Sequence, residues 1–444
     1  MNPHDQHTEP HRHRPQPLLR PTRIGGLQLP NRVVMAPLTR ARATNADLTP
    51  TDLHAAYYGQ RATAGLIISE GVWVGEQAIG FGGVPGLYTE RQVAAWSRVT
   101  GLVHALGGRI VAQLWHTGAN SHPDHLGGAL PAGPSAINPH ETVHTPHGRK
   151  ETLTPRAMTS ADIARTIAAY GAAAGRARRA GFDGVEIAAN GAYLLAQFLN
   201  RRLNHRTDGY GTDPARLLLD VADAVSAAWR ADRVGVRLSP YWTAADRPPS
   251  SPSHGAYPYT ADARTLADYD AVVAELGRRR VGYLHLRGRA PSRPGAAPER
   301  AEFARYRQLF DGPLIANHGF DRESGNAIVE AGVADAVSFG RAFIANPDLV
   351  SRFALGHEPA AGDRSTHYSG AERGYVDYPA WAGMGPDKEP DKGSDKERSG
   401  DRRAGRGAMA STGQDTMAPR RGRQPAEACY GGPGARLSQG PDTL

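Results

Sequence analysis

Short apolar runs recur along this chain, and longer segments with helical spacing lie between them. Candidate strands are residues 33–36, 66–69, 110–114, 184–187, 234–238, 283–286, 313–316 and 336–339. They are β-branched or leucine-rich and apolar on both faces, as buried parallel strands must be. Residues 161–180 typify the intervening helices: Ile163, Ile167, Tyr170 and Ala174 recur along one face. Ser160 is placed to act as N-cap there, and Gly181 to end the helix. Eight such repeats predict an α/β fold of the (β/α)8 TIM-barrel type. The rival, an open doubly wound sheet, lacks its GxGxxG after the first strand.

Composition sets the limits of that barrel. Residues 1–17 are polar and rich in His, Arg and Pro, and read as a disordered N-terminal tail. Residues 382–444 contain no Ile, Val, Phe or Trp and cannot bury enough surface to offset their ordering entropy, so they read as a second disordered tail. The barrel is expected over residues 18–381. The net charge of +8 comes almost wholly from arginine, with Lys150 the only lysine inside that span. No basic stripe interleaved with aromatics accompanies it, which argues against nucleic acid as a partner. A single cysteine, Cys429, excludes a disulfide framework and a Cys-ligated iron–sulfur cluster. There is no N-terminal apolar core of a signal peptide and no bilayer-length apolar run, so a cytoplasmic monomer or homodimer is expected.

Barrels gather function where strands end and βα loops begin. Strand seven opens into Asn317, His318 and Gly319, and strand eight into Gly340 and Arg341. Those two loops are the usual phosphate site of the fold, and Arg341 offers a fork of donors to phosphate oxygens. Thr39, Gln113 and Arg237 bring a hydroxyl, an amide and a fixed cation to strand ends one, three and five. That set suits the polar edge of a flavin ring. Strand six carries His285. A Schiff-base aldolase is disfavoured, because Lys150 lies in a long loop. His122, Asp124, His125, His140, His144 and His147 share that loop without compact ligand spacing, and read as polar loop rather than metal site.

The strings NRVVMAPLTRARA, YYGQRATAGLIISEG, VAQLWHTG, YLLAQFLN, NHRTDGYG, VGVRLSP, DAVSFGRAFIANPDL and GYVDYP follow one another in order. In this the chain resembles the Old Yellow Enzyme family of FMN-dependent ene-reductases over residues 18–381. The resemblance implies FMN, held by the side chains of Thr39, Gln113, Arg237 and Arg341 and by the backbone at Pro37, Gly71, Gly319 and Gly340. It implies NADPH or NADH as reductant, hydride transfer to an activated alkene, and Tyr193 as proton donor.

One departure bears on substrate. The family loop after strand four carries a His and a His or Asn that grip the substrate carbonyl, and Ala188 and Gly191 stand at those positions. Asn190 lies one residue away. The substrate is then expected to be a small specialised alkene anchored by other groups: Trp115, His116, Asn190, Tyr241, Trp242 or Tyr375. A flavin-dependent oxidation or double-bond isomerisation is the alternative enzyme reading. A flavin-holding scaffold or sensor is the non-enzyme alternative, which gives Tyr193 no task.

Overall fold

The computed structural model describes residues 16–246, 257–289 and 297–381. Both expected tails fall outside these, except for Gln16 and Pro17; Pro17 is buried at the start of the 3-10 turn Pro17–Leu19.

All eight expected strands form: β1 (Val33–Met35), β2 (Leu66–Trp73), β3 (Ile110–Trp115), β4 (Gly184–Ala189), β5 (Val234–Leu238), β6 (Tyr283–Arg287), β7 (Leu314–Asn317) and β8 (Ala336–Phe339). They close into a barrel in sequence order, every pairing parallel. β8 returns to β1 through Val337 opposite Val33 and Phe339 opposite Met35. Every strand residue is buried, because side chains point either into the barrel or under the helices. β2 runs longer than its apolar stretch. A register shift between Ile68 and Gly71 sets Gly71 opposite Gln113 and Trp73 opposite Trp115, carrying the strand into the mouth.

Helices follow the strands: α1 (Asp52–Gln60), α2 (Glu90–Ala105), α3 (Ser160–Arg179), α4 (Arg216–Ala228), α5 (Ala263–Arg278), α6 (Arg300–Arg307), α7 (Arg322–Glu330) and α8 (Leu349–Leu355). α3 buries Ile163, Tyr170 and Ala174 as its periodicity requires, and Gly181 ends it at φ +83°. Its cap is Thr159 rather than Ser160. Asp162 completes a capping box with Thr159, which the serine one residue later cannot share.

The two ends of the barrel differ. An antiparallel ribbon, Thr22–Ile24 with Leu27–Leu29, packs Ile24, Leu27 and Leu29 against Val34, Leu66, Val111, Tyr283 and Ile315, plugging the N-terminal end. The long β3–α3 connection carries a hairpin, Thr142–Thr145 with Gly148–Glu151. A C-terminal segment, residues 366–375, is tied to the loop after β1. Arg40 donates to the carbonyls of His367 and Gly374, and Arg42 to those of Thr366, His367 and Ser369.

Candidate active site

The register of the strands brings the expected polar residues to one end of the barrel. Glu186 on β4 stands opposite Gln113 on β3, and Arg237 on β5 pairs with Ala188 on one side and His285 on the other. Asn317 and Ser338 continue the ring on β7 and β8. Gln113 and Arg237 are both buried. Arg237 Nη2 donates to Asn317 Oδ1 at 2.9 Å, whereas its Nε is buried with no hydrogen-bond partner. Burial lowers the Arg237 guanidinium to about 10, against the pull of the Glu186 carboxylate. It remains a cation at neutral pH.

The loops after β7 and β8 turn sharply. His318 and Gly319 are consecutive left-handed residues, φ +89° and +81°. Gly319 meets this without strain, whereas His318 holds the conformation with its ring near the carbonyls of Gly288 and Arg289. Gly340 precedes the short helix Arg341–Ala345, on which Arg341 is exposed. At β1, Pro37 is buried and Thr39 half-buried.

Tyr193 follows the β4 turn and caps the short helix Leu194–Leu199. Its ring meets Trp115 edge-on, with centroids 4.8 Å apart. Both line a small cavity with Phe81, Thr117, Asn120, Glu141, His144 and Arg149, so the hairpin forms one wall. Phe81, His144 and Tyr368 make a ring cluster beside it, with centroids 5.0–6.1 Å apart. Burial, with a smaller push from the nearby Tyr368 and Glu141, raises the Tyr193 phenol well above its ordinary value, so it is protonated at physiological pH. Two clamps hold this arrangement. Ser239 Oγ accepts the Gly191 N–H at 2.7 Å. Gln197, fully buried, donates to the carbonyls of Thr117 and Ala192 at 3.0 and 2.7 Å and accepts the Ala119 N–H at 3.0 Å.

The substrate expectations divide. Trp115 is at the cavity, and half-buried Asn190 sits in the turn between β4 and Tyr193, its Oδ1 buried and without a hydrogen-bond partner. Tyr375 is not at the mouth. It is fully buried, stacked on Tyr57 at 4.2 Å beneath the Arg40 guanidinium, because the arginine ties fold the segment back before it. Tyr368, seven residues earlier, lies in the ring cluster beside the Tyr193 cavity. Tyr241 is displaced as well: its hydroxyl reaches the Glu302 carbonyl and its ring packs on Tyr306 of α6. Trp242 packs in a cluster with Tyr257 and Tyr259, under Arg287. His116 accepts the Gly118 N–H and lines a different cavity, with Gln77, Ile79 and Met158, where burial lowers its ring to about 3. Among the described residues no cluster of three or more His, Cys, Asp or Glu could hold a metal ion, and no helix is long and apolar enough to cross a membrane.

Residues 17–359 match the sequence model of the NADH:flavin oxidoreductase / NADH oxidase family. The chain belongs to this family. Flavin oxidoreductase hxnT of Emericella nidulans is 38% identical over 391 residues, 82% of this chain and 97% of that one. 12-Oxophytodienoate reductase 1 of rice, Oryza sativa subsp. japonica, is also 38% identical, over 82% of this chain and 93% of its own length. Among solved structures, morphinone reductase superposes with a TM-score of 0.75 at 40% identity, over 83% of this chain and 98% of that one. An old yellow enzyme homologue from Zymomonas mobilis superposes with a TM-score of 0.74 at 36% identity, over 82% and 99% of the two chains. As an NADH:flavin oxidoreductase family member, the chain is an FMN-dependent NAD(P)H oxidoreductase on a (β/α)8 barrel. Sequence reasoning missed Tyr368, Phe81 and Glu141. The one signal available was the aromatic pair His367 and Tyr368 upstream of GYVDYP.

Proposed function

We propose that this chain reduces the activated C=C bond of a small molecule, with Tyr193 as proton donor. The observation that carries the reading is the Tyr193 phenol, protonated and placed against Trp115 at the C-terminal mouth of a family barrel.

The residues at the mouth fit FMN. Arg237 carries a buried N–H without a protein acceptor, as expected of a cation awaiting an anionic or carbonyl partner. Gln113 adds a second polar group at the same level, and Thr39 a third from the loop after β1. Gly319, Gly340 and Arg341 follow β7 and β8, where the fold binds phosphate. Pro37 and Gly71 complete the assignment through their backbone. When bound, FMN supplies hydride exchange, taking hydride from NAD(P)H and passing it to the β-carbon of the alkene.

The protein supplies the rest. Arg237 offsets negative charge that builds at the cofactor edge, in a site where burial strengthens the interaction. Trp115 and the hairpin bound the substrate and exclude water. Tyr193 Oη gives its proton to the α-carbon and recovers one from solvent. Ala188 and Gly191 offer no side-chain donor, so the carbonyl grip must come from elsewhere, and Asn190 is an amide in the same turn. The expected substrate is therefore one whose alkene needs little polarisation from the protein. The test is turnover in deuterated solvent with an alkene panel: one solvent deuterium should appear at the α-carbon and none at the β-carbon. Deuterium at both carbons, or product without it, contradicts the assignment.

A further inference from the structure

Beneath Gln113 a chain of buried polar groups crosses the barrel. Gln113 Nε2 donates to Glu186 Oε1 at 2.8 Å. Glu186 Oε2 lies 2.9 Å from His285 Nδ1, and His285 Nε2 lies 2.8 Å from Ser338 Oγ. Glu186 and His285 are both fully buried. A carboxylate only accepts, so Nδ1 carries the ring proton and Nε2 accepts from the serine hydroxyl. The same logic fixes the Gln113 amide. Its nitrogen must face Glu186, since the flipped amide would set two acceptor oxygens together. Its oxygen is then turned away from Glu186. Burial pushes the Glu186 carboxyl up, but His285, Arg237 and the Gln113 N–H outweigh this and hold it below its ordinary value.

We propose that Glu186 is the positioning residue of the flavin site, holding the Gln113 amide oxygen toward the ring N3–H and offsetting the Arg237 charge. The proposal rests on the FMN assignment above. It has an electrical consequence. Reduced FMN is the more negative form of the cofactor, so a buried carboxylate beside the site disfavours it relative to the oxidised form. Glu186 keeps the potential low and favours hydride delivery to the alkene.

Glu186→Gln removes the charge and keeps the shape. Its oxygen still accepts from Gln113, its nitrogen donates to His285 Nδ1, and the imidazole changes tautomer to donate to Ser338. FMN should remain bound. The ratio of affinities for reduced over oxidised FMN should rise about tenfold, which is a potential about 30 mV higher for a two-electron couple. Glu186→Leu removes the acceptor as well and should weaken binding of oxidised FMN about tenfold or more. Both readouts, the potential against reference dyes and the FMN dissociation constant, are independent of turnover. A Glu186→Gln protein that binds FMN with an unmoved potential overturns the proposal. Failure of the unmodified protein to bind FMN overturns the parent assignment, and this one with it.

Discussion

Trp115 and Tyr193 meet edge to face, their ring centroids 4.8 Å apart and their planes at 78°. Trp115 is held from its other side by Trp73, stacked at 4.5 Å. Gly71 makes that possible, because a Cβ there would lie 2.4 Å from the Trp115 ring. The β2 register shift, a glycine and two tryptophans together fix the wall against which Tyr193 rests.

Tyr193→Phe should lower the alkene half-reaction by about 10²–10⁴-fold, the usual worth of a positioned general acid. Flavin reduction by NAD(P)H should be unaffected, which stopped-flow absorbance reads separately. Because burial raises the phenol above its ordinary value of 10.0, the alkene half-reaction should not lose its proton donor as pH rises through 10. Equal slowing of both half-reactions would place the residue outside the proton path.

Ala188→His places one donor at the C-terminal end of β4 and should raise reduction of a simple cyclic enone by at least about 10²-fold, the low end for one preorganised donor. Gly191→Asn is the harder change. Gly191 sits at φ +61°, and a Cβ there would be 3.4 Å from Tyr193 Cε2, ordinary contact but in a strained backbone. The double variant should therefore gain less than the sum of two donors. An unmodified protein that already reduces cyclohexenone efficiently would show that Asn190 supplies the grip.

Gln197→Leu removes three hydrogen bonds at once and leaves the Ala192 carbonyl and the Ala119 N–H unpaired in the interior, while the Thr117 carbonyl keeps the Asn120 N–H. The cost should be on the order of 2 kcal/mol or more, at about 1–3 kcal/mol for each buried group left unsatisfied. Denaturant titration measures it. Alkene turnover should fall with it, since Ala192 precedes Tyr193.

The barrel was legible because its strands are runs of buried residues, and nothing else in the chain repeats apolar segments with that spacing. The loops after β7 and β8, and Gln113 and Arg237, were legible as strand ends. The covering segments were not. The hairpin Thr142–Thr145 with Gly148–Glu151 is polar on its exposed face and short, so no periodicity marks it. Tyr375 misled because its string matches the family, whereas the direction of its ring depends on Arg40 and Arg42 gripping carbonyls more than 300 residues away. Long-range ties of this kind leave no local pattern. Glu186 was passed over for a related reason: a lone acid in a buried strand declares its partners only once the barrel has closed and residues of β3, β4 and β6 face one interior.

Glu70 gives a test of stability that needs no turnover. It is fully buried beside Tyr58 and the Arg40 backbone N–H, and burial raises its carboxyl from 4.5 to about 7. The folded state therefore holds a proton that the unfolded state has released. This contribution is fully present below pH 4.5 and lost as pH rises through about 7. Glu70→Gln should flatten the unfolding free energy over that window. An unchanged pH profile would mean that Glu70 is already ionised in the folded protein.

The central claim is tested most directly by an anaerobic double-mixing experiment on the purified protein. NAD(P)H in the first mix should bleach the oxidised flavin band of bound FMN. An electron-poor alkene in the second should restore it, with one equivalent of saturated product per flavin. A protein that carries no flavin and takes none up, or a reduced flavin that oxygen reoxidises but no alkene does, would contradict the account.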